Sequence, residues 1–154
     1  MAAFKQAGVI SAHSLREAFQ IGELLASEDY LKGKRAIVIS NAGGFVVLAS
    51  DYAQMYGIEV VELTKELLDE LNTFLTEWSH ENPMDIVGDA QVDRYAHVFD
   101  LMIRHQDIWD IAFVVAVPSC VLEPRHLAQE IVRFSNHTEK MIVGCLLGGD
   151  SMKT

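Results

Sequence analysis

A chain of 154 residues, half of them apolar and 22% charged, reads as one globular domain with a sizeable core. Its formal charge of −10 excludes a nucleic-acid binder, which needs a cationic footprint to displace counterions, and a protein that docks on an anionic membrane surface. Two cysteines, Cys120 and Cys145, are too few for a disulfide scaffold and fit reduced thiols in the cytoplasm.

The first predicted element is a helix over 14–26, SLREAFQIGELLA, opened by Ser14 and Glu17 in capping-box spacing. Residues 1–34 read as a lead-in segment carrying this helix, and 35–154 as a single compact domain. The run RAIVIS (35–40) is almost continuously apolar, the pattern of a strand covered on both faces of a parallel sheet. It leads through Asn41-Ala42-Gly43-Gly44 into a helix in which Tyr52, Met55 and Tyr56 recur at helical spacing and are read as core. IEVVEL (58–63) alternates less cleanly and reads as a strand nearer an edge. In KELLDELNTFL (65–75), Leu67, Leu68, Leu71, Phe74 and Leu75 share one helical face.

The stretch HENPMDIVGD (80–89) is a polar turn. Pro83 disfavours helix at Asn82, and Asp85, Gly88 and Asp89 are turn formers, with Asp89 placed to cap the next helix. That helix lies within QVDRYAHVFDLMIRH (91–105), where Val92, Tyr95, Ala96, Phe99, Met102 and Ile103 make one apolar stripe. IAFVVAV (111–117) and KMIVGCLL (140–147) are two further buried strands. Between them RHLAQEIVRF repeats apolar residues at Leu127, Ile131 and Phe134, and is entered through Pro124 at the first helical position. The charge runs EDYLKGKR (28–35) and LDEL (68–71) are read as solvated faces.

Strands alternating with helices give an α/β, flavodoxin-like, doubly wound and mainly parallel sheet, with strand order 2-1-3-4 for the four strands above. The chain stops at GGDSMKT, where a glycine turn should lead into another helix. The expectation is a sheet lacking its last helix and strand, either a fragment of a longer protein or a domain completed by a partner. No apolar run reaches the roughly 20 residues of a spanning helix, and MAAFKQAGVISAHS lacks the apolar core of a secretory signal. A cytoplasmic protein is expected.

Four turns would line the carboxyl edge of such a sheet, where open α/β folds bind ligands. The first, Asn41 to Gly44, joins strand to helix; its glycines let backbone N–H groups approach an anion, and the helix dipole favours negative charge. It is neither a Walker A loop, since no Gly-Lys-Ser/Thr follows, nor a GxGxxG fingerprint, since Phe45, Val46 and Val47 come next. Its structural alternative is a tight turn without a ligand. The others are the loop of Asn82, Pro83 and Asp85, the run VPSC (117–120), and LLGGDS (146–151) with Gly148 and Gly149, where Asp150 or Ser151 would cap a helix that the chain does not supply. The six histidines, His13, His80, His97, His105, His126 and His137, show no metal-binding spacing and are read as exposed. No nucleophile elbow, aspartate cluster or flavin-type phosphate loop is present, so the residues supply no catalytic group and no metal site.

The run GKRAIVISNAGGFVVLASDYAQMYGIEVVEL, then NPMDIVGDA, then LLGGDS, resembles one domain of the NDP-forming acyl-CoA synthetases, relatives of succinyl-CoA synthetase that include ADP-forming acetyl-CoA synthetase. The opening AAFKQAGVISAHSLREAFQIGELLA is similar to the segment that precedes this domain, so the resemblance covers essentially the whole chain. It implies coupling of acyl-CoA cleavage to nucleoside triphosphate synthesis through an acyl phosphate and a phosphohistidine on a mobile loop. It further implies partner domains: a CoA-binding domain, a flavodoxin-like domain carrying the phosphohistidine, and an ATP-grasp domain. This chain resembles the second flavodoxin-like domain, which lacks that histidine, and Asn41, Ala42, Gly43 and Gly44 would bind the phosphoryl group. Asn82, Pro83 and Asp85 match a second family motif near the same edge. CoA, ADP or ATP and magnesium are implied for the whole enzyme, none for this domain alone, so an isolated copy is expected to be inactive. The family usually shows a glycine where this chain has Val46, a side chain that would narrow the anion site. That departure keeps a second expectation open, a non-catalytic regulatory or assembly module of the same fold, for example fused to an acyltransferase.

Overall fold

The computed structural model describes residues 6–8, 10–12, 14–27, 33–76 and 81–152. The chain divides into two compact units, Met1–Tyr30 and Leu31–Thr154. In the first, helix α1 spans Leu15–Ser27. Ser14 Oγ accepts the N–H of Glu17 at 3.1 Å, the half of the capping box carried by the serine. Leu15 and Phe19 of α1 are exposed, as are Leu24 and Leu25.

The second unit is a parallel sheet with helices on both faces. Its elements are β1 (Arg35–Ser40), α2 (Gly43–Met55), β2 (Glu59–Val60), α3 (Lys65–Leu71), β3 (Met84–Asp85), α4 (Val92–Arg104), β4 (Ile111–Ala116), α5 (Pro124–Asn136), β5 (Met141–Leu146) and a 3₁₀ turn at Gly149–Met152. The order β2-β1-β4-β5 is the expected wound order, and β3 is an additional strand paired with β1. β2 and β3 share one edge of β1: Arg35 and Ala36 pair with Glu59 and Val60, while Ile39 and Ser40 pair with Met84 and Asp85. The strand expected over 58–63 is therefore only two residues long, because a second segment takes the other half of its slot.

Asn82 bridges the two halves with its side chain. Its Oδ1 accepts the N–H of Val38 at 2.9 Å, and its Nδ2 donates to the carbonyls of Ala36 at 2.8 Å and Val61 at 2.9 Å. A carboxamide has one acceptor and one two-proton donor group, so it can replace a missing peptide in a ladder. Asn82 thus binds the sheet, all three of these bonds running to backbone groups of Ala36, Val38 and Val61.

One face carries the main core. Ile37 and Ile39 of β1 and Ala112, Val114 and Ala116 of β4 meet Leu67 and Leu71 of α3, Tyr95, Phe99 and Met102 of α4, and Leu127 and Phe134 of α5. Phe99 and Phe134 stack at 4.6 Å between centroids, and Trp109 closes the cluster, its indole N–H donating to Met102 O at 3.0 Å. α3 begins at its cap, Thr64 Oγ1 accepting the N–H of Leu67, and ends at Leu71; Phe74 and Leu75 pack from the turns that follow rather than from the helix. Asp89 does not cap α4. The cap residue is Gln91, without a side-chain bond, and Asp89 pairs with Arg94 at 2.6 Å.

The other face is covered by α2, which turns Val46 and Ala53 inward. Its opposite stripe is exposed: Phe45, Leu48, Tyr52 (57%), Met55 (71%) and Tyr56 (74%). Tyr52, Met55 and Tyr56 are therefore not core. α2 is apolar all round, so spacing alone does not tell its inner face from its outer one. β5 is the least covered strand, with Gly144 and Cys145 exposed. Arg35 leaves its charge run for an ion pair: Nε and Nη2 clamp the carboxylate of Asp110 at 3.0 and 2.8 Å. This pulls the Asp110 carboxyl down to about 2, against the opposing effect of burial.

Candidate functional site

All strand pairings are parallel, so the turns that leave β1, β3, β4 and β5 stand on one edge. Their residues touch in series. A Cβ on Gly88 would lie 3.7 Å from Asn41 O, Asn41 bonds Val117, and a Cβ on Gly148 would lie 2.7 Å from Pro118 Cδ.

The Asn41–Gly44 turn is locked from three sides. Asn41 is 2% exposed. Its Oδ1 accepts the N–H of Val117 at 2.9 Å and its Nδ2 donates to Val117 O at 3.0 Å, stapling the ends of β1 and β4 together. Its own N–H donates to the hydroxyl of Tyr95 at 3.2 Å. Burial pushes the Tyr95 phenol well above its ordinary pKa, so it remains a neutral hydroxyl. The N–H of Ala42 donates to Ser40 Oγ at 3.1 Å. Tyr95 and Ser40 were legible only as core and strand end; nothing in spacing pairs them with the turn.

These bonds use the donors of Asn41 and Ala42. The next two N–H groups, of Gly43 and Gly44, have no partner among the described residues, while those of Phe45 and Val46 turn back to Ala42 O. Ala42 is the cap, in extended conformation and without a side-chain bond. The start of α2 thus presents two free N–H donors at the positive end of a helix dipole. Gly44 is exposed, and a Cβ there would meet nothing within 4 Å. Val46 is 5% exposed and faces the protein interior, away from the solvent side where Gly44 lies.

Asp85 flanks the same turn. Its Oδ1 accepts the N–H of Val87 at 3.0 Å, and its Oδ2 lies 2.5 Å from the place a Cβ on Gly43 would take. Val87 has φ +71, a left-handed conformation that is rare for a β-branched residue. Arg94 holds the loop by donating to Ile86 O at 2.9 Å and pairing with Asp89. Pro83 follows Asn82 through a cis peptide bond. At the fourth turn Gly148 has φ +141 and is packed on Pro118 and Met152, and Ser151 Oγ donates to Gly148 O. Met152, 4% exposed, plugs the main core.

Among the described residues no group of three His, Cys, Asp or Glu side chains is placed to hold a metal ion, and no helix is long and apolar enough to cross a membrane. His97, His126 and His137 are exposed and His105 is half-buried beside Glu70; His13 and His80 lie outside the described residues. Cys120 and Cys145 are free and exposed.

The chain is similar to known proteins along almost its whole length. The chain is 32% identical over 99% of its length to the alpha subunit of an ADP-forming acetate–CoA ligase I from Pyrococcus furiosus. It is 30% identical over 98% of its length to an ADP-forming acetate–CoA ligase I from Archaeoglobus fulgidus. It superposes with a TM-score of 0.87, at 27% identity over 98% of its length, on a dinucleotide-forming acetyl-coenzyme A synthetase 1 of Ca. Korarchaeum cryptofilum in complex with phosphate and ADP. The chain is homologous to one part of the ADP-forming acyl-CoA synthetases. It spans 33% of the Pyrococcus subunit, 21% of the Archaeoglobus ligase and 33% of the Korarchaeum chain. No family model matches it. The flavodoxin-like α/β architecture is shared with these synthetases.

Proposed function

We propose that the chain works as one domain of a multidomain NDP-forming acyl-CoA synthetase. In this reading the start of α2 receives and stabilises a phosphoryl group borne on a histidine of another domain. The observation that carries it is the pair of unpartnered N–H groups at Gly43 and Gly44 in a turn whose other donors are all used. Two charge-assisted bonds of about 1.5–3 kcal/mol each, in the field of a helix terminus worth up to about 2 kcal/mol, are enough to hold a phosphoryl oxygen. Catalysis here would be electrostatic and positional, with no acid or base supplied by the turn. Asn41, Tyr95 and Ser40 would act by keeping the turn rigid, so that the donors need no reorganisation when charge arrives. CoA, the nucleotide and its magnesium would be held by the other domains.

The second reading, a regulatory or assembly module of the same fold, drew its support from Val46. The inward placement of that side chain, 5% exposed, supports the first reading instead.

The test is Gly44→Val in the complete enzyme. A side chain at Gly44 meets open space, so the fold stays intact while the mouth of the turn is filled. Acyl-CoA-dependent formation of nucleoside triphosphate should fall at least a hundredfold, with the melting temperature within about 2 °C of the parent. Unchanged turnover in the folded variant would refute a role for the turn in phosphoryl transfer.

A further inference from the structure

Helix α2, GGFVVLASDYAQM, holds a single charged residue, Asp51. A helix covered from one side keeps a polar face for water, and one that is apolar all round belongs where it is packed from two. Within the chain α2 is packed from one. Val46 and Ala53 turn inward to its own sheet, while Phe45, Leu48, Tyr52, Met55 and Tyr56 are exposed. The first four of these recur at steps of three, four and three residues, the seam spacing of one helix against another.

The sheet beside α2 is short of a helix. α2 packs on β1, β2 and β3. The helix that packs on β5 is α5, which lies on the main-core face with Ile131 beside Gly144. Neighbours along a strand alternate in face, so Val143 and Cys145 look to the α2 side, as Phe113 of β4 does. No helix among the described residues covers this strip: Phe113 and Val143 are half-buried and Cys145 is exposed. Two strands about 4.8 Å apart make a strip about 10 Å wide, the width of a helix.

We propose that a second copy of the chain covers this face, with the two α2 helices antiparallel between the two sheets and each filling the strip over β4 and β5 of the other. The contact is isologous, because each chain offers the element that the other lacks, and it closes at two copies. The five exposed side chains of α2 leave roughly 500 Å² of apolar surface per chain in water. A pair of stripes then buries about 1,000 Å², the size at which specific interfaces begin. The pairing is independent of any anion at Gly43 and Gly44, and its test does not involve one.

Sedimentation equilibrium of the full chain at micromolar concentration should give twice the chain mass of 17.2 kDa. Tyr52→Glu and Met55→Glu, each placing a charge on the exposed side of α2, should return the mass to one chain with an unchanged far-ultraviolet circular dichroism spectrum. Val132→Glu, at an exposed apolar position of α5, should leave the pair intact. Cys145 gives a second reading, because the partner's α2 would cover it. Its reaction with a thiol reagent should be at least tenfold slower in the parent than in Met55→Glu, with Cys120, in the turn after β4, as the internal reference. A parent of single-chain mass, a pair that survives both α2 variants, or a Cys145 equally reactive in parent and variant overturns the proposal.

Discussion

Replacing Asn82 separates a structural role from a role in the cleft. Its amide makes three bonds at 2.8 to 2.9 Å to the backbones of Ala36, Val38 and Val61. Val38 is fully buried, so Asn82→Ala leaves its N–H without a partner or water, at about 1–3 kcal/mol. Ala36 O keeps a second donor, Val61 N–H at 3.1 Å, so the two carbonyls together lose about 1 kcal/mol more. A destabilisation of about 3 kcal/mol is expected, a large share of a typical domain's stability of about 5–15 kcal/mol. Asn82→Asp keeps the acceptor for Val38 but turns a carboxylate oxygen toward two carbonyls. Its cost at neutral pH should exceed that of alanine by about 1–2 kcal/mol. The sign of its pH dependence follows. The folded variant's carboxyl is raised above its unfolded value of about 3.9, so the excess is full above the folded pKa. It shrinks as pH falls through that value and is gone below about 3.9. Urea unfolding followed by far-ultraviolet circular dichroism, at neutral and mildly acidic pH, measures both effects. A loss of less than 0.5 kcal/mol for Asn82→Ala, on the order of ordinary surface substitutions, would refute the bridging rung.

At the amino edge of the sheet, Asp110→Asn should cost about 1–2 kcal/mol at neutral pH, since Arg35 loses a two-pronged partner. Because the Asp110 carboxyl is drawn down to about 2, its contribution is complete above the unfolded value of about 3.9. The gap between parent and variant should therefore close as pH falls through about 2; a gap independent of pH down to that point would show that the ion pair is not its source. Gly148→Ala should destabilise by about 2–3 kcal/mol, because the methyl meets Pro118 and Met152 at a φ of +141. Gly149→Ala, at φ +58 in open space, should cost only about 1 kcal/mol. Equal shifts in thermal unfolding would refute the packing argument.

Much of the architecture was legible because it depends on local chemistry. The apolar runs at 35–40, 111–117 and 140–147, the Pro124 entry into α5 and the Ser14 cap are statements about backbone preference and burial that neighbouring residues make by themselves. The parallel order follows once strands alternate with helices, since each crossover must return on the same hand. The Asn-Ala-Gly-Gly turn could be placed at the carboxyl edge on the same grounds.

What only the tertiary structure decided depends on residues far apart in the chain. Asn82 supplies a rung to β1 from 44 positions away from Val38, and no periodicity encodes a side chain that substitutes for a peptide. Tyr95 belongs to a helical stripe and also holds the N–H of Asn41, 54 positions distant. Spacing put Tyr52, Met55 and Tyr56 in the core, but both faces of α2 are apolar, and the structure turned Val46 in and those three out. At the turn, four candidate donors became two. The sequence by itself determined that a glycine turn opens a helix at the ligand-binding edge. Only folding decided that Asn41 and Ala42 spend their N–H groups internally, that Gly43 and Gly44 do not, and that a carboxylate stands beside them. Donor availability depends on whether a distant partner is already bonded, and the linear chain does not specify that.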